Sequence, residues 1–379
     1  MKKKLNVGLI GHKFMGKAHS HALRDISMFF ELDSEPVMRA LCGIGEDLAA
    51  TAARYGWQQH TQSWEAVVED PEIDVIDVCT PGDTHCRIVV AAAQAGKHVL
   101  CEKPLALNAG EALEMYRAAE AAGVRHLVNF NYRRVPAVNL ARALIEEGRL
   151  GTIYHFRAMY QQDWPLDPDF PYLWRFDKTV AGAGSMADKG SHIVDLARNL
   201  VGEIDEVAAA NEILVKHRPV AEQPGARKEV TTDDAAVFLT RFAGGTMGLF
   251  LTSRMSAGHK NYLTFEVNGS QGSLVFNLER MNELEVYFRG EQPEGFRTVM
   301  VTDAAYHRYI TNWWPPGHVL GWEHTFVHQY YEFLQAISGG YQASPSFLDG
   351  LRNQEVLDAI EVAAREKRWV PVSRVEATG

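Results

Sequence analysis

Hydrophobic positions along this chain change their rhythm once, near residue 134. Before that point, short, largely apolar runs at Leu5–Ile10, Val37–Cys42, Val75–Cys79, His98–Cys101 and Val124–Asn131 alternate with stretches of helical spacing. Runs of this kind fit strands buried on both faces. The helical stretches begin near Lys17, run alanine-rich to Tyr55, occupy Ser63–Glu69, restart at His85 until Gly96, and cover Ala109–Ala122. Alternating strand and helix predict an α/β domain with a doubly wound parallel sheet over residues 1–134.

After Pro136–Glu147, which keeps helical periodicity up to Gly148, the pattern becomes strand-like. The runs are Ile153–Tyr160, Val207–Val215, Ala235–Phe242, Thr246–Ser253, Leu263–Asn268, Ser273–Asn277 and Leu284–Phe288. Glycine turns such as Gly244-Gly245 and Gly269-Ser270-Gln271-Gly272 join several of them, which predicts an open, predominantly antiparallel sheet. Helices at His192–Leu200, Phe326–Ile337 and Leu351–Arg365 flank it, so residues 135–379 read as an α+β domain. Pro219–Arg227 reads as a polar loop.

Composition changes this picture little. A length of 379 residues exceeds what one hydrophobic core supports, and 46% hydrophobic with 23% charged residues is ordinary for a globular protein. The formal charge of −10 argues against nucleic acid or an anionic membrane as partner. Met1-Lys2-Lys3-Lys4 looks like the start of a secretion signal, but Asn6, Gly8 and Gly11 break the apolar run that follows. No stretch approaches the roughly 20 apolar residues of a membrane span. Cys42, Cys79, Cys86 and Cys101 form no C-x-x-C pair, which predicts reduced, buried thiols in a cytoplasmic protein.

Candidate chemistry gathers at two places. The run Lys97-His98-Val99-Leu100-Cys101-Glu102-Lys103-Pro104 brings Lys103 to the carboxyl end of a predicted strand, where ligands sit in open α/β sheets. Such a lysine suits proton transfer, although a solvated lysine paired with Glu102 explains the residues equally well. Upstream, Gly11-His12-Lys13-Phe14-Met15-Gly16 stands where a dinucleotide fingerprint G-x-G-x-x-G is expected. Its first and third glycines are present, and Lys13 replaces the middle one, where a side chain crowds a pyrophosphate or lends it charge. The second strand ends in Cys42 and Gly43, with Glu46 and Asp47 a little further on and no arginine to mark a 2′-phosphate. That leans toward NAD and leaves NADP open.

The second place is Ala181-Gly182-Ala183-Gly184-Ser185-Met186-Ala187-Asp188-Lys189-Gly190-Ser191-His192-Ile193-Val194-Asp195. If a helix extends back to Asp188, then Asp188, His192 and Asp195 share one face. A carboxylate, an imidazole and a remote lysine can handle an alcohol proton while hydride leaves carbon. An N-cap at Asp188 and a packed histidine at His192 are the plainer account. His19-x-His21 and His192-x-x-Asp195 lack a third ligand at a recognisable spacing, so no metal site is expected. Aromatic and polar residues at Gln162-Asp163-Trp164, Trp174-Arg175-Phe176-Asp177-Lys178 and Trp313-Trp314 suit the faces and rim of a sugar ring, or fill a core.

Together these landmarks resemble the glucose–fructose oxidoreductase / inositol dehydrogenase (Gfo/Idh/MocA) family over essentially the whole chain. The resemblance is carried by the glycine turn, Thr80-Pro81 with His85, Glu102-Lys103-Pro104 and Asp188-x-Gly190-x-His192. It implies a Rossmann domain, then an open β-sheet domain whose exposed face forms homodimers or homotetramers. It implies hydride exchange between nicotinamide and a sugar or polyol carbon, with Lys103 and His192 handling the proton and Asp188 orienting the hydroxyl. Gly11, Lys13, Phe14, Met15, Gly16, Thr80, Pro81, His85, Glu102, Lys103, Asn131 and Arg175 would line the cofactor. Within the family, Asn131-Tyr132-Arg133-Arg134, Gln162-Asp163-Trp164, Trp174-Arg175-Phe176 and Pro345-Ser346-Phe347 look like the levoglucosan dehydrogenase type, which acts on a pyranose ring at carbon 3. Tyr132, Gln162, Trp164, Arg175, Lys178 and Lys189 would then face the substrate.

Lys189, with Arg175 and Lys178, could also form an anion pocket, unless Arg175 and Lys178 pair with Asp177 or with the cofactor. An anion pocket would fit a second reading, an NAD-dependent glycosidase on an anionic glycoside such as a sulfosugar. Transient oxidation at carbon 3, elimination, hydration and re-reduction would make it redox-neutral. A third reading is a non-catalytic protein that senses the cofactor, which has no need of Lys103, Asp188 and His192.

Overall fold

The computed structural model describes residues 2–221 and 223–377. The chain forms two compact units. The first holds the residues up to Arg134 together with Gly321–Arg352 and the segment from Val375 onward; the second holds Val135–Leu320 and Asn353–Arg374.

The first unit is built on a parallel sheet of six strands: β1 (Lys3–Ile10), β2 (Ser34–Cys42), β3 (Gln59–Thr61), β4 (Val75–Val78), β5 (His98–Cys101) and β6 (His126–Val128). The spatial order β3-β2-β1-β4-β5-β6 puts the topological switch point between β1 and β4. Val7, Leu9, Val75, Ile76, Val78, Val99 and Leu100 are fully buried, as expected of strands covered on both faces. Helices Trp64–Glu69 and Ala109–Ala121 start where Ser63 and Asn108 accept from the backbone N–H groups of Ala66 and Glu111.

Three features differ from the sequence reading. The first helix begins at Phe14 rather than near Lys17, because the turn is complete at Lys13. The strand expected over Val124–Asn131 shortens to β6, and Asn131–Arg134 forms a 3₁₀ turn. The outer edge of β6 is taken by later chain: Val128 N donates to Pro345 O (3.0 Å), and the Gln342 side chain donates to His126 O. The domain division is the largest difference. Gly321–Arg352 is part of the first unit, not the second, because helix His324–Gly339 packs on helix Phe14–Phe29 and on β2.

The second unit is a nine-stranded sheet with a separate two-stranded hairpin. Its strands are β7 (Ile153–Gln161), β8 (Ile204–Glu212), β9 (His217–Pro219), β10 (Arg227–Glu229), β11 (Ala235–Phe242), β12 (Met247–Ser253), β13 (Tyr262–Gly269), β14 (Gly272–Asn277), β15 (Glu283–Phe288), β16 (Arg297–Met300) and β17 (Val370–Pro371). The order is β16-β15-β14-β13-β7-β12-β11-β8-β17, all pairs antiparallel except β7 with β12. Phe156, Phe238, Phe250, Phe265 and Phe276 fill the covered face, with Phe238 stacked on Phe250 at 4.6 Å. The expected loop Pro219–Arg227 is the connection of hairpin β9–β10, and the strand expected at Val207–Val215 lies earlier, as β8. Helix Ser191–Leu200 packs on β7, and the turn Met186–Gly190 packs on β12.

Candidate active site

In the first unit, the chain turns sharply after β1. Gly11 N donates to Cys42 O (2.8 Å) and Cys79 N donates to Ile10 O (2.7 Å), which ties the ends of β1, β2 and β4 together. Gly11 has φ +112°, and a Cβ there would lie 2.5 Å from Cys79 O; one on Gly16 would lie 1.9 Å from Gly11 O. Only glycine fits both places, and the helix that follows presents its first N–H groups at this turn. Lys13, at the middle glycine position, is turned to Asp47, with Nζ 2.9 and 2.8 Å from the two carboxylate oxygens. His12 Nε2 lies 3.2 Å from the same group. The hydrogen bonds from Lys13, then His12, hold the Asp47 carboxyl down at about 2.

The carboxyl end of β5 carries Glu102 and Lys103. Glu102 is buried: Oε1 accepts from His19 Nε2 (3.0 Å) and Asn129 Nδ2 (2.6 Å), and Oε2 accepts from Lys103 N (3.1 Å). His19 Nδ1 lies 2.8 Å from Asp77 Oδ2, and Tyr330 donates to that same oxygen. Burial opposes a charge on His19, but Asp77 outweighs it and raises the imidazole well above its ordinary pKa. Burial likewise opposes ionised Glu102, yet the His19 hydrogen bond and charge keep it below the usual carboxylate value. The donors of His19, Asp77 and Cys79 lie within 4.8 Å of one another. Both His19 nitrogens face carboxylates, so the ring is a proton donor here rather than a metal ligand.

Around them, His85 Nε2 is 2.9 Å from Thr80 O and Nδ1 is 3.1 Å from Leu105 O, linking the turn at Thr80-Pro81 to the chain after Pro104. Asn131 Nδ2 donates to Thr325 Oγ1 (2.8 Å), Tyr132 accepts from Trp322 Nε1 (3.3 Å), and exposed Phe14 stacks on Trp322 (5.6 Å). Met15 is half-buried beside them. The first unit thus gathers the glycine turn, Thr80, Pro81, His85, Glu102, Lys103 and Asn131 at the carboxyl ends of β1, β4, β5 and β6. Glycine at 11 and 16 and a helix N-terminus between them fit a dinucleotide pyrophosphate.

In the second unit, Asp188 and Lys189 lie in a π-helical turn, Met186–Gly190, that runs directly into helix Ser191–Leu200. Asp188 is therefore not an N-cap, and such turns recur at functional sites. Lys189 is 1% exposed and sends Nζ to Asp188 Oδ2 (3.0 Å). His192 is buried with its ring tilted against Tyr160 at 5.9 Å. The Tyr160 hydroxyl and Gln162 Nε2 both donate to Asn261 Oδ1 (2.7 and 2.8 Å). Trp164 packs against Phe170 and Phe176 at 5.3 and 5.8 Å, and the Arg175 guanidinium lies 4.4 Å over Trp174. Asp177, offered above as a partner for Arg175 or Lys178, instead accepts from Thr179 and Lys228, while Lys178 pairs with Glu361.

Comparison with known proteins decides the family. Residues 5–130 match the oxidoreductase family with an NAD-binding Rossmann fold, and residues 138–275 match the GFO/IDH/MocA C-terminal domain. The chain belongs to the GFO/IDH/MocA family. Levoglucosan dehydrogenase of Pseudarthrobacter phenanthrenivorans is 42% identical over 98% of this chain and 99% of its own. D-apiose dehydrogenase of Paraburkholderia graminis is 27% identical over 99% of this chain and 92% of its own. Among solved structures, a levoglucosan dehydrogenase complex with NADH superposes with a TM-score of 0.95 at 42% identity, covering 98% of this chain and 100% of that one. An oxidoreductase domain protein from Kribbella flavida gives 0.95 at 46% identity, covering 99% and 100%.

This member of the family is thus an enzyme, an NAD-dependent oxidoreductase, and the reading as a cofactor sensor falls. Sequence reasoning missed Asp77, Asn129 and Tyr330 around Glu102, and the role of Asp47 as partner of Lys13. Asp77 left a signal, an acid inside the otherwise apolar Val75-Ile76-Asp77-Val78. Among the described residues no helix is long and apolar enough to cross a membrane.

Proposed function

We propose that the chain transfers a hydride between nicotinamide and carbon 3 of a pyranose sugar, with an anhydrosugar such as levoglucosan as the first candidate. The 42% identity to levoglucosan dehydrogenase along 98% of the chain carries this reading. When bound, NAD supplies the hydride acceptor. Lys103 and His192 hold and move the hydroxyl proton, and Asp188 accepts from the reacting hydroxyl and orients it. Glu102 fixes the backbone at Lys103 through its bond to Lys103 N, and His19 in turn fixes Glu102. Lys189, itself buried, gives the partly exposed Asp188 carboxylate a counter-charge at 3.0 Å. Trp164 and Trp174 offer apolar faces to the sugar, and Gln162 and Tyr132 offer polar groups for its rim.

The anionic-glycoside reading loses support, because Lys189 is engaged by Asp188 and Lys178 by Glu361. The protein acts as a cytoplasmic homodimer or homotetramer. Val237, Leu239, Met247 and Leu249 alternate onto the uncovered face of β11 and β12 and are 46–59% exposed, an apolar stripe suited to a second copy.

Absorbance at 340 nm with NAD or NADP, against sugars, anhydrosugars, inositols and aryl glycosides including sulfosugar glycosides, tests the proposal. Stoichiometric NADH with levoglucosan or another pyranose is the expected result. Aglycone release with catalytic NAD and no accumulating NADH would replace it by the redox-neutral glycosidase.

A further inference from the structure

The helix that carries Asp188 and His192 begins on an acid from elsewhere in the second unit. Three successive amides end on one residue: Gly184 N donates to Asp233 Oδ1 (2.7 Å), Ser185 N to Asp233 O (2.9 Å) and Met186 N to Asp233 Oδ2 (2.9 Å). Asp188 N then donates to Gly184 O (3.0 Å), which opens the π turn. The fit leaves no play, since a Cβ on Gly184 would lie 1.9 Å from Asp233 O.

Asp233 is itself held from both sides. Its neighbour Asp234 accepts from Arg254 Nε (2.7 Å) and from the amides of Leu214 and Val215 (2.7 and 2.9 Å). Arg254 also donates to Thr232 O (3.2 Å). Helix-start amides have no partners within their own helix, and an ordinary helix meets that need with a local N-cap. A buried carboxylate is a costly substitute, and burial pushes its pKa up against the pull of the two amides. A residue drawn from the β11 end of the sheet does what a local cap does not: it sets where the helix starts relative to the sheet, and so where Asp188 and His192 stand.

We propose that Asp233 is a positioning residue of the active site, holding the π turn in the register that presents Asp188 and His192 to the substrate. This rests on the roles given above to Asp188 and His192. Asp233→Asn has the same shape but turns an amide donor toward one of the N–H groups. We expect D233N to keep wild-type NADH affinity while hydrogen exchange of peptides spanning Gly184–His192 speeds by about tenfold. In single-turnover absorbance at 340 nm, with the sugar the wild type oxidises fastest, the rate constant should fall on the order of 10²-fold at full amplitude.

Unchanged exchange across Gly184–His192 overturns the proposal. So does an unchanged rate constant with reduced amplitude, which is the mark of a smaller folded fraction alone. If D233N does not fold, Asp233→Ser, which keeps one acceptor, is read by the same two measurements. H192N run alongside separates the two claims: if it keeps wild-type turnover, the proposed site is wrong, whatever D233N does to exchange.

Discussion

His19 Nε2 donates to Glu102 Oε1 across 3.0 Å, with both side chains buried. Asp77 faces the other ring nitrogen, so one imidazolium serves two buried carboxylates. Replacing His19 by leucine removes the cation the two acids share, leaving Glu102 only the charge of Lys103, and removing one partner of a buried pair costs about 3–5 kcal/mol. Urea unfolding of H19L should show a loss of this size. The sign with pH is set by the raised His19 pKa. Its contribution is complete below the unfolded value of 6.5 and is lost as pH rises through the folded value. H19L should lack that alkaline loss.

Lys103 stands at the end of β5, and its replacement should separate chemistry from binding. We expect K103M to lower kcat by about 10²–10⁴-fold, the range for removing a proton-transfer group. NADH affinity, read by fluorescence titration, should stay within a few-fold of wild type. Equal loss of both would make Lys103 a binding residue.

Asp47 engages Lys13 through both carboxylate oxygens at the carboxyl end of β2, where coenzymes with and without a 2′-phosphate are told apart. Asp47→Asn removes the negative charge and frees the ammonium to meet a phosphate. The NADPH-to-NADH affinity ratio should rise by about tenfold, and Lys13→Ala in the same background should cancel the gain.

His307 gives the second unit an acid-sensitive point. Burial, with the nearby Arg308 charge, pushes its imidazole down to about 4, below the unfolded 6.5. The unfolded chain binds the extra proton between those values, so stability falls as pH drops from 6.5 toward 4, by up to about 3 kcal/mol. Urea midpoints against pH should show this slope, and His307→Asn should remove it.

Leu239 and Leu249 are cross-strand neighbours on the uncovered face of β11 and β12. If this face joins copies as proposed, lysine at both positions should yield monomers in light scattering, without loss of NADH binding.

Much of this was legible in the sequence. Strand order cannot be read from a chain, yet the alternation of apolar runs and helices up to Arg134 predicted the parallel sheet, and glycine turns predicted the antiparallel one. Lys103 and Glu102 at a predicted strand end, and Asp188 and His192 four apart, stood out as candidates. Their residues alone fitted plain structural roles as well, and only the family resemblance gave them chemical ones. What stayed hidden depends on long-range pairing. Asp47 meets Lys13, Tyr330 meets Asp77 and Asp233 meets Gly184 across separations that local periodicity does not report. The assignment of Gly321–Arg352 failed for the same reason: an amphipathic helix shows that it has a buried face, not which sheet covers it.

That late segment bears on how the protein is made. Tyr330 and Gln329 complete hydrogen bonds to Asp77 and Val128 in the parallel sheet. A ribosome releases those partners only after the whole antiparallel sheet up to β16 has emerged. The coenzyme half therefore waits, open along one side, while the later half is synthesised. Cutting the gene near residue 134 would yield a fragment that never closes.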